Sequence, residues 1–156
     1  MLSADQVVSA RALKQTPSWE AAYIRAFVRA YGSNYLGFDI NVRVGPGAPV
    51  QPDLHPSWQY AQSQVTRKRI DLVAWRPDGT VELFEVKWAP DVDTVKQILN
   101  YGRLWTEDGG AAIHQLALLT PPFRPALLAH LLTAGVASYV FDLHAQIADD
   151  DVPADV

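Results

Sequence analysis

The chain has 156 residues, of which 49% are hydrophobic and 19% charged, with a formal net charge of −4 and no cysteine. That length suits one domain with a buried core, and the composition is that of an ordinary globular protein. It excludes disulfides, zinc ribbons, cysteine nucleophiles and any apolar run near the ~18 residues of a membrane span, and the charge argues against nucleic-acid binding by bulk attraction alone.

The opening stretch, MLSADQVVSARALKQ, is polar and mixed in charge, unlike a secretory signal. A short helix is expected around residues 4–14. In PSWEAAYIRAFVRAYGS, Trp19, Tyr23, Phe27 and Tyr31 recur at steps of four, which predicts an amphipathic helix. Ser18 is the expected N-cap and Gly32 the stop. Arg25 and Arg29, four apart, form either a solvated stripe or a phosphate track. FDINVRV alternates Phe38, Ile40, Val42 and Val44, which predicts a strand with these four on one face. GPGAPVQPDLHPSWQYAQSQ, rich in Pro and Gly, is long enough for a functional loop or flap. Its Trp58 and Tyr60 suit stacking on bases or packing the loop onto the domain.

A basic cluster, Arg67, Lys68 and Arg69, leads into two predicted strands, RIDLVAW and TVELFEVKW. Between them, Pro77-Asp78-Gly79 suits a type I turn closed by a left-handed Gly bulge. DVDTVKQILNYGRLW then reads as a helix capped by Asp91 or Asp93, IHQLALLT as a strand, PFRPALLAHLLTAG as a helix and VASYVFDL as a last strand. Antiparallel hairpins followed by crossovers predict an α/β fold, a mixed central sheet with helices on both faces. Residues 1–148 make the expected single domain. The acidic tail 149–156 has little to bury and is expected to be disordered.

The second predicted hairpin strand poses a problem. Glu85 and Lys87 are two apart in an apolar strand and so share a face. With a three-residue loop, Arg76 pairs with Thr80 and Asp71 falls opposite Glu85, at a Cβ separation of roughly 5 Å. Two carboxylates that close repel unless a proton or cation lies between them. Oxygen ligands at this spacing suit a hard divalent ion that also binds phosphate, and a neighbouring lysine suits metal-assisted phosphodiester hydrolysis. The literal Pro77-Asp78 is a decoy, since Asp78 lies in the turn, roughly 20 Å from the level of Glu85. A two-residue loop would instead put Asp71 on the opposite face from Glu85.

Asp71, a hairpin, Glu85-Val86-Lys87 and then a helix resemble the core of the PD-(D/E)XK nuclease superfamily over about residues 17–143, although Ile70 rather than proline precedes Asp71. Gln97 and Tyr101 on the following helix are similar to the QxxxY motif of RecB-like and lambda-exonuclease-like members. The resemblance implies a restriction-endonuclease-like αβββαβ core and a Mg²⁺- or Mn²⁺-dependent deoxyribonuclease. It implies Asp71, Glu85 and the Val86 carbonyl as metal ligands, with Glu20, the acid of the first amphipathic helix, reaching the same ion. Lys87 would assist attack on the phosphate, Gln97 and Tyr101 would support the site or hold substrate, and Arg67, Lys68 and Arg69 would guide DNA. It further suggests end-, structure- or processing-directed cleavage, a phage context of the head-completion type, and a cytoplasmic or virion-associated place, with oligomers open.

Each residue also has a plainer reading. Glu85 and Lys87 could be an ordinary exposed pair on the wet face of an edge strand, against which stand the equally apolar strand of Asp71 and neighbours that suggest both faces are covered. Glu20 suits the positive end of its helix whatever its chemistry. Gln97, Lys96 and Arg103 suit a solvated helix face. The four histidines, His55, His114, His130 and His144, lack metal-ligand spacing. Two other functions stay open: a catalytically inactive nuclease-fold adaptor in a DNA-handling or virion assembly, and an RNA-processing enzyme on the same scaffold.

Overall fold

A computed structural model describes residues 1–9, 13–148 and 151–153. Five strands form one sheet in sequence order: β1 (Gly37–Val44), β2 (Lys68–Trp75), β3 (Val81–Val86), β4 (Ile113–Thr120) and β5 (Val136–Val140). β1, β2 and β3 pair antiparallel, whereas β3, β4 and β5 are parallel. Parallel neighbours need crossovers, supplied here by α4 (Val92–Glu107) and α5 (Pro125–Ala134). Successive crossovers that share a hand and a direction place both helices on one face of the sheet. α1 (Ala4–Val8) and α2 (Ser18–Tyr31) cover the other. The α/β class, the mixed sheet and the order α2-β1-β2-β3-α4-β4-α5-β5 are as the sequence predicts, with α3 added between β1 and β2.

The two faces carry separate cores. Val7, Tyr23, Ile24 and Phe27 of the first helices pack on Phe38, Leu72, Phe84, Val86 and Leu119. On the opposite face Tyr101, Leu104 and Trp105 of α4 pack on Val44, Ile70, Val73, Val81 and Leu83. α5 closes the far end with Leu127 and Leu131 against Ile98 and Leu118. Among the described residues no helix is long and apolar enough to cross a membrane.

The expectation that Phe38, Ile40, Val42 and Val44 share a face is wrong. Phe38 and Ile40 pack with the α2 core, Val42 and Val44 with the α4 core. The cause is Asn41, which adopts a left-handed conformation (φ 55°) and resets the alternation. Its partner strand turns with it: Ile70, opposite Val42, faces α4, while Leu72, opposite Ile40, faces α2. The kink therefore brackets Asp71.

Other boundaries also differ. Pro17, not Ser18, precedes α2, without a side-chain cap. The β3 strand ends at Val86 rather than Trp88, although Lys87 N–H still donates to Leu119 O at 3.0 Å. The last strand stops at Val140. The expected loop 45–64 contains most of a further helix, α3 (Pro56–Thr66), capped by His55 and opened by Pro56. It buries no residue, so it carries no apolar period to read. Packing on the domain does not account for Trp58 and Tyr60, which are 68% and 69% exposed. Of the acidic tail, residues 149, 150 and 154–156 lie outside the described residues, while Val152 packs against the α2 core.

Candidate active site

The hairpin geometry sets the site. Arg76 N–H donates to Thr80 O at 2.9 Å, Gly79 N–H donates to Arg76 O at 3.0 Å, and Gly79 is left-handed (φ 81°). This is the three-residue loop with a glycine bulge. It fixes the register as Ala74 with Glu82 and Leu72 with Phe84, which leads on to Asp71 opposite Glu85. The paired residues stop at Leu72, next to the kink. Beyond it, Asp71 Oδ2 accepts the Val86 backbone N–H at 2.8 Å, so a side chain continues what the ladder leaves off.

A groove of about 620 Å³ opens there, lined by Glu20, Asp71, Glu85, Val86, Lys87, Gln97 and Tyr101, with Arg67, Lys68 and Arg69 on one side. The expected metal-binding, catalytic and basic-cluster residues thus border one cavity, though α2, β2, β3 and α4 each contribute, whereas Arg25, Arg29, Trp58 and Tyr60 do not line it. Asp78, the decoy, sits in the turn and is bound to Thr80 instead.

Glu85 is 6% exposed. Its Oε1 accepts from Gln97 Nε2 at 2.8 Å, and Gln97 also donates to the Tyr101 hydroxyl at 2.6 Å. Residues four apart on α4 thereby act as one strut behind the carboxylate. Among the described residues, Glu85 Oε2 is buried without a hydrogen-bond partner. Burial, and then the charge of Asp71, push the Glu85 carboxyl up to about 9. Asp71 is raised as well, mainly by burial, against the opposing pull of the Val86 N–H, Glu85, Arg69 and Lys87. Both carboxyls are thus harder to ionise than free ones, as two buried carboxylates side by side must be.

Glu20 enters from the first turn of α2 and is pushed up to about 7 by burial and then by Asp71. Among the described residues, no three His, Cys, Asp or Glu side chains close round an ion as they stand. Lys87 makes no ion pair among the described residues. The basic cluster divides. Arg67 is tied to Gly45 O at 2.6 Å and Asp108 at 2.9 Å, so it clamps the β1–α3 loop to the end of α4. Lys68 and Arg69 are exposed.

The sequence reading missed Trp19 and Trp88 as groove residues. They meet edge to face, with centroids 5.8 Å apart, at the rim beside Glu20 and Lys87. Trp19 was legible only as a member of the apolar stripe of α2. Asp91 also lines the groove, but it is spent as the α4 cap, accepting from Thr94 N–H at 2.9 Å.

No protein-family model matches the chain, and no curated protein does. Solved structures do. Protein VC1899 from Vibrio cholerae is similar over 78% of this chain and 30% of its own, at 14% identity and a TM-score of 0.51. A repair endonuclease from Pyrococcus abyssi matches over 67% of this chain and 39% of its own, at 15% identity and a TM-score of 0.42. An EndoMS–dsDNA complex matches over 78% and 44%, at 14% and 0.47. The chain spans less than half the length of each. The likeness to VC1899 shows a shared fold.

Proposed function

We propose that this chain hydrolyses phosphodiester bonds in DNA with the help of Mg²⁺ or Mn²⁺. The observation that carries this reading is the unpartnered, buried Oε2 of Glu85 beside Asp71. Burying a carboxylate without a partner costs several kcal/mol, and a pair costs more. A hard cation removes both the repulsion and the orphaned acceptor. The donor set suits magnesium, which needs only one or two protein carboxylates and fills its remaining positions with water and phosphate. Asp71, Glu85 and the Val86 carbonyl would hold it, with Glu20 as an outer carboxylate. When bound, such an ion lowers the pKa of a coordinated water and offsets charge on the phosphate and leaving oxygen.

The chain's own residues do the rest. Gln97 holds Glu85 by one oxygen and leaves the other facing the pair, and Tyr101 holds Gln97. The Val86 N–H fixes Asp71. Lys87, unpaired and next to both carboxylates, binds a non-bridging phosphate oxygen and keeps the attacking water in line. Lys68 and Arg69 take phosphates of the flanking backbone.

Cleavage of supercoiled plasmid and end-labelled linear DNA with Mg²⁺ or Mn²⁺ tests this. The expected result is cutting that EDTA stops and that Lys87→Ala lacks. Absence of metal-dependent cutting on these and on branched and single-stranded DNA overturns it. The second reading, a non-catalytic module of the same fold, is favoured by one observation, the net charge of −4.

A further inference from the structure

A second cavity, of about 740 Å³, lies at the carboxyl ends of β3, β4 and β5. It shares Trp88, Ala89 and Asp91 with the groove that holds Asp71 and Glu85, so the two adjoin across Trp88. Its character differs from the groove's. Pro90, Pro121, Phe123 and Leu127 make an apolar wall. Arg124, His130 and His144 stand exposed around it. The acids nearby are already engaged: Asp91 accepts from Thr94, and Asp142 pairs with His144 Nδ1 at 3.0 Å. The crevice outside the carboxyl ends of parallel strands is the usual ligand position in open α/β sheets, and the volume lies within the ~300–1,000 Å³ of small-molecule pockets.

A DNA strand whose scissile phosphate sits at the Asp71–Glu85 pair has Lys68 and Arg69 on one side and a path past Trp88 on the other. What it meets there is an apolar, aromatic recess with a cation at its rim. A paired base, stacked within a duplex, has no face to offer such a recess, but an unpaired base is flat, apolar on its faces and tethered to a phosphate. We propose that this cavity receives an unpaired nucleotide next to the scissile phosphate, its base against Phe123 and the proline wall, its phosphate facing Arg124. The inference rests on the nuclease reading of the neighbouring groove. It assigns single-stranded, flap or frayed ends, rather than continuous duplex, as the substrate class.

The test is binding of a labelled single strand and of its duplex, followed by fluorescence anisotropy, with Ca²⁺ replacing Mg²⁺ so that nothing is cut. An abasic position is walked along the strand. The expected result is single strand bound more tightly than duplex. Binding should fall about tenfold for one abasic register, and Phe123→Ala should weaken the intact strand about tenfold and abolish that register effect. Arg124→Gln, at an exposed position, carries the test should Phe123→Ala fail to fold. Its expected effect is a several-fold loss on single strand and none on a duplex lacking ends. Equal binding of every abasic register, tighter binding of duplex, or folded Phe123→Ala and Arg124→Gln proteins that bind like the wild type would each overturn the proposal. A register effect in a protein that never cuts DNA removes the nuclease reading and keeps the subsite; cutting without a register effect does the reverse.

Discussion

Asp71 Oδ2 takes the Val86 N–H at 2.8 Å just past the last β2–β3 pair, Leu72 with Phe84. A carboxylate therefore stands where a backbone carbonyl would otherwise bond, and this holds it against Glu85. Asp71→Ala leaves the Val86 N–H without its partner and removes half of the pair. Asp71→Asn keeps an acceptor for that N–H but lowers the charge. The expected outcome is a loss of ~1–3 kcal/mol for Asp71→Ala and little change for Asp71→Asn, with metal-dependent cutting abolished in both. Urea titration and a plasmid assay on the same preparations separate the two effects.

The pH dependence of stability should run downward. Glu85 ionises near 4.5 when unfolded and near 9 when folded without metal. Between those values the folded protein binds a proton that the unfolded chain lacks, so stability falls as pH rises through the window. The penalty is absent below about pH 4.5 and complete above about pH 9. Glu20, raised from 4.5 to about 7, steepens the lower part. Thermal melts in EDTA should therefore show Tm falling from about pH 5 to about pH 9. Glu85→Gln should remove most of that slope and stabilise the protein at about pH 8 by a few kcal/mol. Mg²⁺ should raise the wild-type Tm there and leave Glu85→Gln nearly unmoved. A wild-type Tm that climbs with pH would sink this account of the pair.

Gln97 and Tyr101 should behave as one unit. Gln97→Ala strips the buried Glu85 Oε1 of its donor, at a cost of ~1–3 kcal/mol, and Tyr101→Phe removes only the hydroxyl behind it, at ~0.5–1.5 kcal/mol. Because the two bonds run in series, the double variant should lose less than the sum of the single losses. Additive losses in a double-mutant cycle would show that the strut is not coupled.

Much of this site was legible because a hairpin converts turn chemistry into register. Pro77-Asp78-Gly79 requires a left-handed glycine, a left-handed glycine there makes the loop three residues, and the loop length puts Asp71 level with Glu85. The QxxxY spacing was equally readable, since four residues make one helix face. Other features left no periodic trace. The left-handed Asn41 breaks an alternation that looks intact, because Phe, Ile and Val read alike whichever core they enter. α3 has no apolar face to announce it. Arg67 could not be told from Lys68 and Arg69, because its partners Gly45 and Asp108 lie far away in sequence.

That last distinction makes a prediction about salt. Lys68→Ala and Arg69→Ala remove exposed cations at the groove, so each should weaken DNA binding similarly for all sequences. Each should also lower the slope of log affinity against log salt by about 1. Arg67→Ala removes hydrogen bonds to Gly45 O and Asp108 instead, so its main effect should be a loss of ~1–3 kcal/mol of stability. Anisotropy titrations at several salt concentrations, read beside urea melts, decide between the two roles. A salt slope reduced by Arg67→Ala as much as by Arg69→Ala would return Arg67 to the phosphate track.

Asn41 gives the last test, because it links backbone strain to the packing beside the pair. At φ 55° a β-branched residue is disfavoured by about 1–2 kcal/mol, whereas glycine is free there. Asn41→Gly loses only the side-chain bond to Thr16, 3.0 Å long, so its stability should stay within ~1 kcal/mol of wild type and its cutting should persist. Asn41→Val should cost ~2 kcal/mol or more if the kink is kept. If the strand relaxes to regular alternation instead, Ile70 must leave the α4 core and join Leu72 on the α2 face, while Asp71 keeps the face that Val73, Leu83 and Glu85 share. The cost then falls on packing beside the pair, so a folded Asn41→Val protein should melt lower while Mg²⁺ still raises its Tm. A folded Asn41→Val protein as stable as the wild type would mean that the kink is not needed to seat Ile70 against α4.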